Sequence, residues 1–166
     1  MAKSWPPWEV TSSKSNLALL REIVETPDKD LPAEALSWLS RLLVLRSCGH
    51  LEQVVQKCAQ GYVEGKAGGP VRSFSLTWLA KSRNPSARAL RELAERFDPA
   101  WAQDLDNVLD ENEQSLRRLL GNLVDFRNLI AHGQNQGVTR EKALELGDAA
   151  ESISDWWITT MNPHNS

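Results

Sequence analysis

Apolar residues recur at three- and four-residue spacing along most of the 166-residue chain, and Leu, Ala, Glu and Arg fill the periodic segments. No run alternates apolar and polar positions between turn dipeptides, so the pattern predicts helices and no strands. After an arm reading SWPPWEV, a first helix is expected to start near Ser12 to Ser15. It passes Leu17, Leu20 and Val24 and breaks at Pro27. A long second helix opens at Pro32, continues through Leu36, Leu39, Leu43, Cys48, Leu51, Val55 and Cys58, and is expected to end at Gly61 and Gly65. Gly49 interrupts it at a cost of about 1 kcal/mol relative to Ala, which points to a close approach by another backbone.

The stretch GKAGGPVRSF, residues 65–74, reads as a loop. A short helix around Ser75 to Lys81 follows, then another from Pro85 to Phe97. Asp98 as N-cap and Pro99 in the first turn start the next helix, which runs with a bend near residue 110 to Gly133. GQNQGV is a turn, Thr139 is an N-cap, and a final helix covers about residues 140–160. Long antiparallel helices joined by short turns predict an all-α, up-down bundle of four to five helices. Residues 1–30 supply an arm and first helix packed on the bundle and residues 31–162 the helical domain, as one domain overall.

Composition leaves this picture intact, with 41% hydrophobic and 25% charged residues matching ordinary globular proteins. No stretch approaches the roughly 18 consecutive apolar residues of a bilayer span. The first ten residues lack the apolar run of a signal peptide, so a cytoplasmic protein with no membrane partner is expected. Cys48 and Cys58 would stand about 15 Å apart on one straight helix, too far to bridge, and are expected to be small core residues. His50, His132 and His164 have no zinc spacing, and neither a metal nor another cofactor is expected.

Net charge is −3, but the charges are blocked. Between Glu64 and Glu92 all are positive: Lys66, Arg72, Lys81, Arg83, Arg88 and Arg91. Between Arg96 and Arg117 all are negative: Asp98, Asp104, Asp106, Asp110, Glu111 and Glu113. Such blocks are commonly solvated faces, although a local basic surface can engage phosphates even on an acidic protein.

The segment Leu116 to His132 carries the most unusual pattern. On a helical wheel Leu116, Leu119, Leu120, Leu123, Val124, Phe126 and Ile130 form one apolar stripe, with Arg127 near its centre. An unpaired guanidinium there would be prohibitive, so it must meet an acid, a cleft or an arriving anion. Gly121, Asp125, Asn128 and His132 make a narrow polar stripe elsewhere on the helix, more like a contact surface between chains than a solvated face. One reading is structural: Arg127 pairs with a buried acid such as Glu52 or snorkels outward, while His132 and Gly133 cap the helix. The other is chemical.

The string FRNLIAHG resembles the R-x4-6-H motif of the HEPN superfamily, here Arg127, Asn128 and His132, with a polar residue directly after the arginine. The position of the motif, at the end of the penultimate long helix before one closing helix, is similar too. So is the stretch LLVLRSCGHLEQVV, where HEPN proteins of abortive-infection and ribonuclease-associated families often carry a glutamate at a place like Glu52. The likeness covers roughly residues 35–160. It implies a metal-independent endoribonuclease working as a homodimer, with Arg127, Asn128 and His132 catalytic and Glu52 and Asp125 supporting them. RNA, such as tRNA or mRNA, would be gripped by Lys66, Arg72, Lys81, Arg83, Arg88 and Arg91. On an ideal helix Arg127 and His132 point about 140° apart. Either the helix unwinds before Gly133 or a second chain completes the site. Toxins of this superfamily that are controlled by a nucleotidyltransferase commonly carry a tyrosine two residues after the histidine. Here Gln134 stands there and Tyr62 is the only tyrosine.

The resemblance thus points to an RNA-cleaving toxin or defence effector with an antitoxin or defence-system partner. The alternative is a catalytically silent HEPN-like dimerisation or adaptor module that binds a protein or a nucleotide. Seven tryptophans favour some sticky surface, although Trp5, Trp8, Trp156 and Trp157 can equally close one end of the bundle.

Overall fold

The periodic segments become seven helices in the computed structural model, which describes residues 4–111, 116–134 and 137–165. These are α1 (Trp8–Glu25), α2 (Ala33–Lys66), α3 (Gly69–Leu79), α4 (Ala87–Phe97), α5 (Pro99–Asp110), α6 (Leu116–Ala131) and α7 (Arg140–Thr160). Among the described residues every regular element is helical, so the chain is all-α. The four longest helices, α1, α2, α6 and α7, form the bundle. Central α2 packs against α1, α6 and α7, while α3 lies on α2 and the α4–α5 pair leans on α6. Leu43, Leu51, Leu105, Leu109, Leu120, Leu123, Leu146, Ile153 and Trp157 fill the core, and free Cys48 and Cys58 are buried among them.

Local chemistry places several boundaries. Ser86 and Asp98 accept hydrogen bonds from the backbone N–H groups of Ala89 and Ala100, and Thr139 accepts from Lys142, so all three act as N-caps. Pro99 follows Asp98 in the first turn, where its missing N–H costs nothing. The expected bend near residue 110 is where α5 ends, and Glu113 lies outside the described residues. So do residues 135 and 136 of the GQNQGV turn.

Three glycine-based expectations are corrected. α2 does not stop at Gly61 or Gly65 but runs through both to Lys66. A Cβ on Gly61 would lie 2.8 Å from the indole of Trp5, and one on Gly65 would lie 2.6 Å from Cβ of Pro163, so these glycines are seats for other parts of the chain. The stretch 65–74 is mostly helix, because Gly69 at φ +55° turns the chain and Pro70 opens α3. A Cβ on Gly49 would meet nothing within 4 Å, so no other backbone approaches it. α1 also starts earlier than expected, at Trp8.

The tryptophans divide. Trp157 is fully buried, Trp156 donates from Nε1 to Asp104 at 2.8 Å, and Trp5 donates from Nε1 to the Ile158 carbonyl at 2.8 Å. Trp8 instead stands 72% exposed.

Candidate active site

The apolar stripe of α6 buries Leu119, Leu120, Leu123 and Val124 and half-buries Leu116, Phe126 and Ile130. That packing carries Arg127 against α2, where its Nη2 donates to Oε1 of Glu52 at 2.6 Å. The two side chains are only 28% and 25% exposed, so this is a largely desolvated ion pair. One turn earlier on α2, the Cys48 thiol points at the same Oε1 at 4.0 Å. Burial above all pushes that thiol's pKa up, with Arg127 opposing. The Arg127 guanidinium is therefore fixed by the protein's own carboxylate, which leaves its remaining N–H groups as donors.

At the end of α6 the backbone is organised around Gly133, which adopts φ +71°. The Gln134 N–H reaches the Leu129 carbonyl at 3.0 Å and the Gly133 N–H reaches the Ile130 carbonyl at 3.0 Å. This pair of bonds is a Schellman cap with Gly133 in the left-handed position. His132 is the last residue before it, and its N–H still bonds the Asn128 carbonyl at 3.1 Å. The helical path thus holds through His132 and does not unwind before Gly133. Arg127 and His132 consequently leave the axis about 140° apart, and one protomer does not bring them together.

The polar stripe lies open. Gly121, Asp125 and His132 are exposed, Asn128 is half-buried, and nothing lies within 4 Å of a Cβ built on Gly121. Among the described residues, no three or more His, Cys, Asp or Glu converge as a metal site. His50 is a core histidine, paired with the Ser13 hydroxyl at 2.8 Å between α1 and α2. Burial first, and Lys14 second, pull its pKa down. No helix among the described residues is long and apolar enough to cross a membrane.

The six basic residues separate into two groups. Lys66 donates to the Asn165 carbonyl at 3.1 Å, Arg88 to Glu92 at 2.8 Å, and Arg91 to Asp106 at 2.8 Å and Glu95 at 3.2 Å. Arg72, Lys81 and Arg83 are exposed and have no ion pair among the described residues. The Arg83 guanidinium lies 3.8 Å above the Trp78 ring, and that of Arg96 lies 5.0 Å from the same ring. Sequence reasoning missed Arg96 because it closes the basic block beside Glu95, and only the fold brings it to Trp78. Much of the acidic block is consumed locally: Arg117 binds Asp106 and Asp110, each at 2.8 Å, and holds both carboxyls below their usual range.

The model of one protein family, described as RiboL-PSP-HEPN, matches residues 10–155, a span that contains Glu52, Arg127 and His132. No curated protein and no solved structure matches the chain.

Proposed function

Since the chain belongs to the RiboL-PSP-HEPN family, we propose that it is a metal-independent endoribonuclease of toxin or phage-defence type, cutting RNA at a composite site of a homodimer. The observation that carries this reading is the pairing of a guanidinium clamped at 2.6 Å by Glu52 with a histidine exposed at a capped helix end. In the reaction the His132 imidazole takes the proton of the RNA 2′-OH, and the 2′-oxygen attacks the adjacent phosphorus. Arg127 and Asn128 hold the non-bridging oxygens as charge builds on them. The bond to the 5′-oxygen breaks, and the second histidine of the dimer returns a proton to that leaving oxygen. The products are a 2′,3′-cyclic phosphate and a 5′-OH. Because Arg127 and His132 diverge on one helix, the second copy is what sets a histidine opposite an arginine, across the open stripe of Gly121, Asp125 and Asn128.

The reading is tested by incubating purified protein with tRNA and mRNA and mapping the product ends. His132→Ala and Arg127→Ala should each abolish cleavage and growth toxicity while leaving helix content intact, and EDTA should have no effect. Full activity in both variants refutes the assignment, and loss of cleavage in EDTA points to different chemistry. A second reading is favoured by the same ion pair: Glu52 already neutralises the charge of Arg127, as a catalytically silent dimerisation or adaptor module would require. A protein that degrades no RNA yet captures one defined antitoxin or defence partner would support that alternative.

A further inference from the structure

We propose that the first half of α2 is a docking face for an amphipathic, acidic helix of another protein, which seats apolar side chains on Trp38, Leu42 and Leu45 and brings its backbone close at Gly49. On an ideal helix these four positions fall within about 60° of one another, and their steps of four, three and four residues are the a/d spacing of a seam between two helices. The seam is unfilled in the protomer. Trp38 is 59% and Leu42 42% exposed, Leu45 is half-buried, and a Cβ on Gly49 would meet nothing within 4 Å. A glycine weakens a helix interior and serves it where a second backbone comes close. The Ser13–His50 hydrogen bond and the Glu9–Lys57 ion pair set α1 antiparallel to α2, which brings the exposed Leu19 and Ile23 level with this half of α2 and widens the apolar band.

The same side of α2 already holds one helix. Gln56, seven residues after Gly49 and back on its face, donates from Nε2 to the Ala80 carbonyl at 2.8 Å. Gln60 donates to the Leu79 carbonyl at 3.2 Å, and together they fasten the end of α3 to the later half of α2. The stripe from Trp38 to Gly49 continues that side past the end of α3, where an apolar helix-binding surface of this kind takes a partner helix by its i, i+3, i+4 and i+7 side chains.

Charge selects the occupant. Between Glu34 and Glu52, α2 carries Arg41 and Arg46 and no acid. The two arginines stand about 70° to either side of the stripe, at the flanking positions where charges choose a partner. Neither has an ion pair among the described residues. The Arg41 guanidinium lies 4.6 Å from the Trp38 ring, and its Nε is buried with no hydrogen-bond partner. Of the acids flanking this region, Glu52 holds Arg127, Glu25 pairs with Arg21, Glu34 lies one turn before the stripe, and Glu22 projects about 100° away from Ile23. A second copy laid on the stripe would set arginine against arginine in either direction. A helix with carboxylates on both sides of its apolar stripe would pair with both.

The test uses the full-length chain and two fluorescein-labelled helical peptides of about three heptads, alike in Leu at a and d, with Glu at e and g in one and Lys there in the other. In anisotropy titrations the Glu peptide should bind at least about tenfold more tightly than the Lys peptide. Trp38→Ala should weaken the Glu peptide about tenfold. Gly49→Gln, a better helix former, should keep or raise Tm and still weaken the peptide, which separates a blocked seam from a damaged fold. Arg41→Gln combined with Arg46→Gln should bring the two peptides to equal affinity. Equal binding of both peptides by the parent protein, or unchanged affinity in Trp38→Ala and Gly49→Gln, overturns the docking face. So does a parent protein that self-associates in sedimentation, binds neither peptide and becomes monomeric in Trp38→Ala, since the face then belongs to a second copy of the chain.

Discussion

Replacing the Glu52–Arg127 pair one residue at a time and then together separates what it does for stability from what it does for chemistry. Two unit charges about 4 Å apart attract by roughly 4 kcal/mol at an effective dielectric constant near 20. With side chains only 28% and 25% exposed, most of that attraction is offset by desolvation. Removing one partner strands the other charge in the α2–α6 seam. Glu52→Leu and Arg127→Met should therefore each cost about 2 kcal/mol, a fall in Tm of about 4–8 °C for a chain this size. The double variant, with two apolar side chains in contact, should lose less than either single one. Cleavage should follow a different order: weakened in Glu52→Leu, absent in Arg127→Met, and still absent in the double variant despite its recovered stability. Urea denaturation and an RNA cleavage assay on all four proteins complete the cycle. Strictly additive stability losses would refute the claim that the two charges depend on each other. Cleavage that returned with stability would refute a chemical role for Arg127.

Three further outcomes are expected. Gly49→Ala should stabilise the protein by up to about 1 kcal/mol through helix propensity. Gly65→Ala should destabilise it, because the new Cβ would lie 2.6 Å from Cβ of Pro163; paired urea titrations check both signs. Gly133→Ala forces a side chain onto φ +71° and should cost about 1–2 kcal/mol, and it should also lower cleavage by disturbing the cap next to His132. Burial, then Lys14, depress the His50 pKa below its ordinary value of about 6.5, so the unfolded chain takes up this proton first as pH falls. Stability should be full above about pH 6.5 and decline below it, and His50→Asn should flatten that decline in urea midpoints measured between about pH 7.5 and pH 5.

What the sequence disclosed was mostly local. Asp98 with Pro99, and Thr139, announce their helices through hydrogen bonds made within a few residues, and the Leu119–Val124 stripe names its buried side by spacing alone. Arg127 stood out because it violates that stripe, and Glu52 was within reach as its partner because both lie on helices forced together by their apolar faces. Gly61 and Gly65 were opaque for the opposite reason. Alone they read as helix breakers, and only Trp5 and Pro163, far away along the chain, give each the role of a recess. The Gly-Pro opening of α3 is ambiguous in the same way, since one dipeptide serves a loop or a first turn. Arg96 could not be told from any other helix-end cation until the fold brought it to Trp78.

The seats on α2 have a consequence for how the chain is wired. Trp5 fits Gly61 and ties to Ile158, Pro163 fits Gly65, and Lys66 holds the Asn165 carbonyl. The lead-in to the first helix and the trailer from the last are therefore moored at one end of the bundle, within two turns of a single helix. A circular permutant that splices these two segments with a short linker, and is opened in the irregular connection between α3 and α4 instead, should keep the same packing. A bulky fusion at either segment would instead compete with the seating of Trp5 at Gly61 and of Pro163 at Gly65, so a tag there should lower the stability of the whole bundle.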